Sequence, residues 1–423
     1  MRIGYLHIGS PQHGVCRYGR LLATEAHRRP DITVIEANVN LTTDRKRNQE
    51  MLMNAARRLS PAEMIHIQYS GKNNKALWGA SWTQLHSLWL FISHCSCPLV
   101  VTLHDVYDPP PSFKTALQRV YSRLQRITSP TSKETNTTVT PRQPPLSKPL
   151  TPTNALQFIR HMYGSDALAL RWLLNQVQLV FVCSQEEAKR LSVLANAYKT
   201  MVVPHFVEKR SLSVSPAEAR AALKLNEGRI VTLLGFIHGR KGHRLMVETL
   251  PELPQDVKVI FAGEPSPGNE EFVQELLALA KVKGVSDRLR VTGYLSEEEL
   301  ERWLVATDLA VGPFKFFSAS GSLSTWISAG RSILAYDLPQ INEYNRFEPG
   351  VIKTFQPYTP TALTKAIQQL LAVSQEDEPG VARLRKRLSM PAIFDEHLSY
   401  YRQSLATENL APSKFSPLKY WIG

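Results

Sequence analysis

The stretch Ile230-Val-Thr-Leu-Leu-Gly-Phe-Ile-His-Gly-Arg-Lys-Gly-His243 decides the fold. Ile230–Leu234 is an apolar run of strand length that stops at Gly235. Gly239 and Gly242 punctuate the loop, and Arg240 and Lys241 stand just before a helix over Arg244–Leu250. A buried strand feeding a helix through a short glycine-rich turn is half of a βαβ unit, and such units build parallel sheets covered on both faces. Glycine lets an anion approach the backbone, and a helix N-terminus with two cations favours a diphosphate. A solvated basic loop would carry the same residues, so the stretch has to be weighed with its neighbours.

Working outward, strands are expected at Val257–Ala262, Leu289–Val291, Leu309–Val311 and Ser332–Ala335, with helices at Glu270–Lys283, Glu297–Thr307 and Ser322–Ala329. After Leu309–Val311, Ser320-Gly-Ser322 offers hydroxyls and backbone N–H groups at a helix start, which makes a second anion cradle. Simple N-capping would need only one of those serines. The preceding half alternates in the same way. Strands are expected at Arg2–Ile8, Ile32–Glu36, Met64–Gln68, Leu99–Leu103, Leu179–Val182 and Thr200–Val203, with helices at Gly14–Arg28 and Ala167–Asn175. The fold class is therefore α/β, with two halves joined near Pro204–Ser215 and any ligand in the cleft beyond the strand carboxyl ends.

Composition excludes other classes. Of 423 residues, 43% are hydrophobic and 21% charged, which suits a globular chain with a sizeable core rather than a disordered or coiled-coil one. No window approaches the roughly 20 apolar residues of a membrane span. The N-terminus runs directly into strand alternation with no signal-peptide core, so a cytoplasmic protein is expected. Cys16, Cys95, Cys97 and Cys183 are too scattered for a disulfide framework and read as reduced thiols. The net charge is +13, and 109–160 alone carries eight basic residues against one acid. Within it, 128–153 holds eleven Ser or Thr and six Pro, which reads as a flexible basic insertion. Its cations alternate with Pro and Thr rather than stacking aromatics, so no nucleic-acid partner is expected. Arg119, Arg123 and Arg126 fall on a short amphipathic pattern over 113–127, which suits an anionic membrane surface and peripheral binding at its inner face.

Taken in order, these signals resemble the GT-B glycosyltransferases, specifically glycosyltransferase family 4. Leu234–Gly242 is similar to that family's phosphate loop, and Val259-Ile-Phe-Ala-Gly263 to its strand-then-glycine segment. Val291–Leu300, Ala306–Pro313 and Ser328–Asp337 continue the series, and Glu343 falls where the family carries its next Glu. In the first half, Ile65-His-Ile-Gln68, Val100-Val-Thr-Leu-His-Asp105 and Val202-Val-Pro-His-Phe-Val207 resemble the family more loosely. The family's two donor-site glutamates are missing: their positions fall near Phe317 and on Thr325.

The resemblance implies two Rossmann-like domains facing across a cleft. An N-terminal acceptor-side domain would span 1–206, with the insertion at 109–160. A nucleotide-sugar-binding domain would span 207–390, and a helical tail at 391–423 would pack back on the first domain. It implies retaining transfer of a hexose from a nucleotide-diphosphate sugar to a glycan or lipid-linked acceptor. No metal or other cofactor is expected, because no Asp-x-Asp occurs and cations with helix dipoles would stabilise the leaving diphosphate. His104 would face the donor sugar, with Asp105 a turn acceptor. Gly14, Gly235, Arg240, Lys241, Ser320, Gly321, Ser322 and Glu343 would bind the donor or line the cleft. Loss of both acids keeps a non-catalytic homologue, acting as a sugar-nucleotide binder or scaffold, as the alternative.

Overall fold

The computed structural model describes residues 1–11, 13–70, 77–79, 81–104, 106, 165–192, 199–225, 228–315, 320–373 and 379–408. The expected insertion at 109–160, its amphipathic stretch, Asp105, Phe317 and the tail beyond 408 lie outside them.

Twelve strands form two six-stranded sheets. The first comprises β1 (Arg2–Ile8), β2 (Thr33–Val39), β3 (Met64–Tyr69), β4 (Leu99–Leu103), β5 (Leu179–Val182) and β6 (Thr200–Val202), in the order β2-β1-β3-β4-β5-β6. The second comprises β7 (Arg229–Leu234), β8 (Val257–Ala262), β9 (Leu289–Val291), β10 (Leu309–Gly312), β11 (Ile333–Tyr336) and β12 (Ile352–Phe355), in the order β12-β11-β10-β7-β8-β9. Neighbouring strands pair in parallel throughout. Helices therefore cover both faces, and every residue of β3, β4, β5 and β10 is buried. This is the GT-B arrangement of two α/β sheets.

Local chemistry sets the helix starts. Asp44 accepts the N–H groups of Lys46 and Arg47, and full capping boxes join Ser215 to Glu218 and Ser296 to Glu299. Several elements were not anticipated, among them two helices of the first domain and the last strand. The basic helix Arg45–Leu59 buries only Leu52, Ala55, Ala56 and Leu59. The helix Ser81–Ile92 buries the polar Gln84 and Ser87 while exposing Trp89, and so shows no clear helical period in sequence. β12 is a four-residue edge strand in which Lys353 is half-buried and Thr354 exposed.

One hydrophobic core cluster joins the two halves. It includes Ile3, Tyr18 and Leu22 of the first domain, Val203, Phe206 and Val207 of the link, and Leu323, Trp326 and Ile327 of the second. The helix Met390–Glu408 contributes Ile393, Phe394, Leu398 and Tyr401 to the same cluster. It lies along the helix Gly14–His27, with Arg29 paired to Asp395 at 2.9 Å and Arg402 to Asp31 at 2.6 Å. No described helix is long and apolar enough to cross a membrane.

Candidate functional site

In the second sheet the chain runs outward from β7 through β8 and β9, then returns to lay β10 on the other side of β7. Loops leaving β7 and β10 diverge there and open a crevice at their carboxyl ends. Gly235 leaves β7 with φ +98°. A Cβ on Gly235 would lie 2.5 Å from Lys241 Nζ and 3.7 Å from Ser322 Cβ, so glycine makes room for the ammonium. That ammonium donates to the Leu234 carbonyl at 2.9 Å and stands 5.8 Å from the Phe314 ring centre. Gly242, at φ +85°, caps the helix His243–Thr249, and its α-carbon faces the Pro313 carbonyl too closely for any side chain.

From the β10 side, the helix Gly321–Ala329 aims its N-terminus into the crevice. Ser320 caps it, accepting the Leu323 N–H at 3.2 Å, and Ser322 Oγ stands 3.1 Å from Ser320 Oγ. A Cβ on Gly321 would meet nothing within 4 Å, so packing alone does not require glycine there. The field in this crevice is positive. No carboxylate lies in ion-pair range of Lys241 among the described residues, and burial alone pushes its ammonium down to about 8. Burial, with Lys241 and Arg240 adding to it, pushes the neighbouring His238 imidazole down to about 4. Arg240 is exposed on the same loop, and its carbonyl accepts from the Lys315 N–H at 3.2 Å. An unneutralised lysine, a helix N-terminus and two glycine-lined turns together make an anion site.

The facing wall comes from the first domain. His104 follows β4 and is buried, with its ring edge-on to Tyr18 at 4.7 Å between centres. Its Nε2 lies at hydrogen-bond distance, 2.8 Å, from the Gln68 side-chain amide. Burial, with His205 and His13 adding to it, pushes His104 down to about 3, so the ring is neutral in the physiological range. Tyr18 also packs on Phe206 and His205 of the interdomain link. Ser324 of the second domain stands 3.3 Å from His205 Nδ1, whose proton goes to the Phe206 carbonyl. The two walls thus meet through Tyr18, His205 and Ser324. Gly14 opens the helix Gly14–His27 behind its cap His13, and a Cβ there would also meet nothing within 4 Å.

Other expected residues are placed differently. Glu343 spans the domains: its carboxylate accepts the N–H of Gln185 at 2.8 Å and of Glu186 at 3.2 Å. It lines a cavity of about 280 Å³ with Cys183, Tyr344, Arg346 and Arg387, whose walls include neither Lys241 nor Ser320 to Ser322. Thr325 turns its hydroxyl back onto the Gly321 carbonyl at 2.9 Å. No described group of His, Cys, Asp or Glu is arranged to hold a metal ion. Sequence reading did not single out Gln68, Tyr18 or His205. The only signal was that each sits inside or beside a quoted segment.

Comparison with known proteins fits this geometry. Residues 227–373 match the family described as Glycosyl transferases group 1. A D-inositol 3-phosphate glycosyltransferase of Xylanimonas cellulosilytica is 31% identical over 140 residues, 31% of this chain and 33% of that protein. The 2-deoxystreptamine glucosyltransferase of Streptomyces kanamyceticus is 23% identical over 247 residues, 56% of this chain and 61% of that protein. The matched segments thus span from 33% to 61% of the length of these two relatives. Among solved structures, Anabaena HepE in complex with UDP and glucose superposes with a TM-score of 0.62 at 15% identity, covering 95% of this chain and 100% of that one. Sucrose-phosphate synthase of Thermosynechococcus elongatus superposes with a TM-score of 0.65 at 17% identity, covering 96% and 100%. Residues 227–373 are thus similar to the glycosyl transferases group 1 family, and the described residues as a whole have the GT-B fold.

Proposed function

We propose that this protein transfers a hexose from a nucleotide-diphosphate sugar to an acceptor hydroxyl, with retention at the sugar carbon. The observation that carries this reading is the Lys241 ammonium, held without a carboxylate beside Gly235 and Ser322 in the β7/β10 crevice. The UDP bound to HepE on the same fold supports a uridine-type donor class. In the proposed reaction the bond between sugar carbon and phosphate oxygen breaks, and the charge left on the diphosphate is met by Lys241, Arg240 and the N–H groups of the Gly321–Ala329 helix. The acceptor hydroxyl attacks from the same face and passes its proton to the departing phosphate oxygen. His104, neutral at working pH, orients the sugar by hydrogen bonding rather than by charge. The open sides of Gly14 and Gly321 leave room for ligand atoms. The acceptor is a glycan or lipid-linked hydroxyl, and the basic tract at 109–160 suits an anionic inner membrane surface.

The test is incubation with a panel of nucleotide sugars, with and without chelator, reading release of nucleoside diphosphate. Release from one donor without added divalent ion is expected. Binding of a donor with no turnover on any acceptor would select the non-catalytic alternative, which the turned-in Thr325 hydroxyl favours.

A further inference from the structure

The cavity beside Glu343, about 280 Å³, is not used by the reaction as derived above. It lies beyond the carboxyl ends of β5 and β6, whereas the anion crevice lies beyond β7 and β10. Both domains build it. Cys183, Ser184 and Pro204 line it from the first domain, and the helix Pro339–Phe347 lines it from the second. Arg387 closes the helix Pro379–Arg387, and Glu396 stands on the helix Met390–Glu408; both reach the same walls. Gln340, Tyr344 and Phe347 recur at helical spacing, so one face of their helix forms a wall.

Glu343 is already engaged, because its carboxylate accepts the Gln185 and Glu186 N–H groups. Four other polar side chains on these walls are not: among the described residues, no hydrogen bond or ion pair engages Tyr344, Arg346, Arg387 or Glu396. Arg346 and Arg387 act on Glu343 and Glu396 only through space. The Arg387 guanidinium lies 4.4 Å from the Phe347 ring centre, a contact that occupies its flat face and leaves its N–H edge for a ligand. Exposure puts these groups in order. Tyr344 is buried, Glu396 and Phe347 are half-buried, and both arginines are exposed. The cations therefore stand at the mouth, with the hydroxyl and the carboxylate deeper.

We propose that this cavity is a second ligand site, separate from the donor crevice, and that it takes a phosphorylated monosaccharide. The phosphate meets Arg346 and Arg387 at the mouth, since guanidinium forks match its oxygens in geometry and charge. The sugar hydroxyls meet the Glu396 carboxylate and the Tyr344 hydroxyl, which supply an acceptor and a donor. The C–H edges of the sugar ring lie on Phe347 and Val202, the half-buried apolar flank. The volume selects one sugar ring: it falls at the small end of ligand cavities, which run from about 300 to 1,000 Å³, and leaves no room for a nucleobase as well. A ligand seated here touches both domains and the link at Pro204. The site does not rest on the transfer reading.

The experiment is calorimetry on the full-length chain with a panel of hexose and pentose monophosphates, and with inorganic phosphate, glucose and uridine diphosphate as separate probes. One or more sugar monophosphates are expected to bind saturably, with inorganic phosphate and glucose each at least about tenfold weaker. Replacing both arginines, Arg346→Gln with Arg387→Gln, is expected to weaken the sugar phosphate about tenfold to a hundredfold, and Tyr344→Phe about tenfold. Uridine diphosphate affinity is expected to stay unchanged in these variants and to fall in Lys241→Ala, which in turn leaves the sugar phosphate unaffected. Hydrogen exchange on the wild type gives a readout that needs no variant: saturating sugar phosphate is expected to slow exchange in the helices Gln185–Leu191 and Pro339–Phe347. Failure of every sugar monophosphate to bind overturns the proposal. Inorganic phosphate binding as tightly as any of them overturns it too, as an anion contact only. A sugar phosphate lost in Lys241→Ala but kept in the double arginine variant, or protection confined to the loops after β7 and β10, places the probe in the donor crevice and also overturns it. Sugar phosphate binding as expected in a chain that turns over no nucleotide sugar would leave this site standing and sink the transfer reading instead.

Discussion

The two walls of the cleft are built by different means. The second-domain wall is local: Gly235, Lys241 and Gly242 lie within eight residues, and Ser320 to Ser322 are consecutive. Its polar groups are backbone N–H groups, two serine hydroxyls and the Lys241 ammonium, which has no carboxylate in ion-pair range among the described residues. The first-domain wall is assembled from distant pieces. His104 reaches Gln68 across 36 residues, and His66 reaches Tyr401 across 335. Its polar groups are neutral, buried and bonded to each other. One wall is made to receive negative charge and the other to hold a fixed hydrogen-bond pattern, a division that suits a leaving diphosphate on one side and an uncharged sugar on the other.

Four substitutions test that contrast. Gly242→Ala should act most strongly, because it forces a left-handed residue against the Pro313 carbonyl. Denaturant unfolding should show a loss of about 3 kcal/mol, combining left-handed strain and overpacking. A loss below about 0.5 kcal/mol would mean the loop is looser than its packing implies. Next, Lys241→Ala should weaken nucleoside diphosphate binding by about 1.5–3 kcal/mol in calorimetry while stability holds.

The same lysine gives a pH signature. Its free-state titration near 8 means that a bound anion must draw a proton onto it above that pH. Affinity should therefore be flat below pH 8 and fall as pH rises through it, by up to about tenfold per unit. Proton uptake on binding should appear over that window in buffers of different ionisation enthalpy. A flat profile would assign the charge to Arg240 instead.

On the opposite wall, His104→Ala should lower turnover about a hundredfold, as for a misplaced sugar, with diphosphate affinity unchanged. A variant that only melts earlier, at full specific activity, would make His104 a packing residue. The smallest effect is expected at the rim. Arg17 pairs with Glu208 at 2.6 Å and Glu297 at 3.6 Å, with Arg17 and Glu297 exposed and Glu208 half-buried. Arg17→Ala should cost under about 1 kcal/mol, and less in high salt.

The same contrast explains what the sequence made legible. Strands β1, β4, β5 and β8 coincide with their expected bounds, because largely buried parallel strands are near-continuous apolar runs ended by Gly, Pro or polar residues, and the short edge strand β9 coincides as well. The glycine loop after β7 could be read because its turn chemistry is contiguous. β12 was missed because Ile352-Lys-Thr-Phe355 is a short edge strand whose two central residues are polar, which leaves no alternating apolar pattern. The polar contacts behind His104 leave no local pattern. Gln68 and His66 are polar residues in an otherwise apolar strand, and their partners are fixed only when remote segments pack. Glu343 shows the converse: a match in sequence order said nothing of the Gln185 and Glu186 N–H groups that it meets across the domains.

The helix Met390–Glu408 also shapes how the chain must be made. It supplies Phe394, Leu398 and Tyr401 to the face of the first sheet that holds Ile3, Tyr5 and Tyr18. A ribosome delivers those partners long after β1 to β6 have left the exit tunnel, a delay on the order of tens of seconds at ordinary elongation rates. During that interval the nascent first half carries an uncovered apolar face and a His66 that lacks its Tyr401 contact. It is then a client for chaperones rather than a finished unit, and its completion waits on the last helix to arrive.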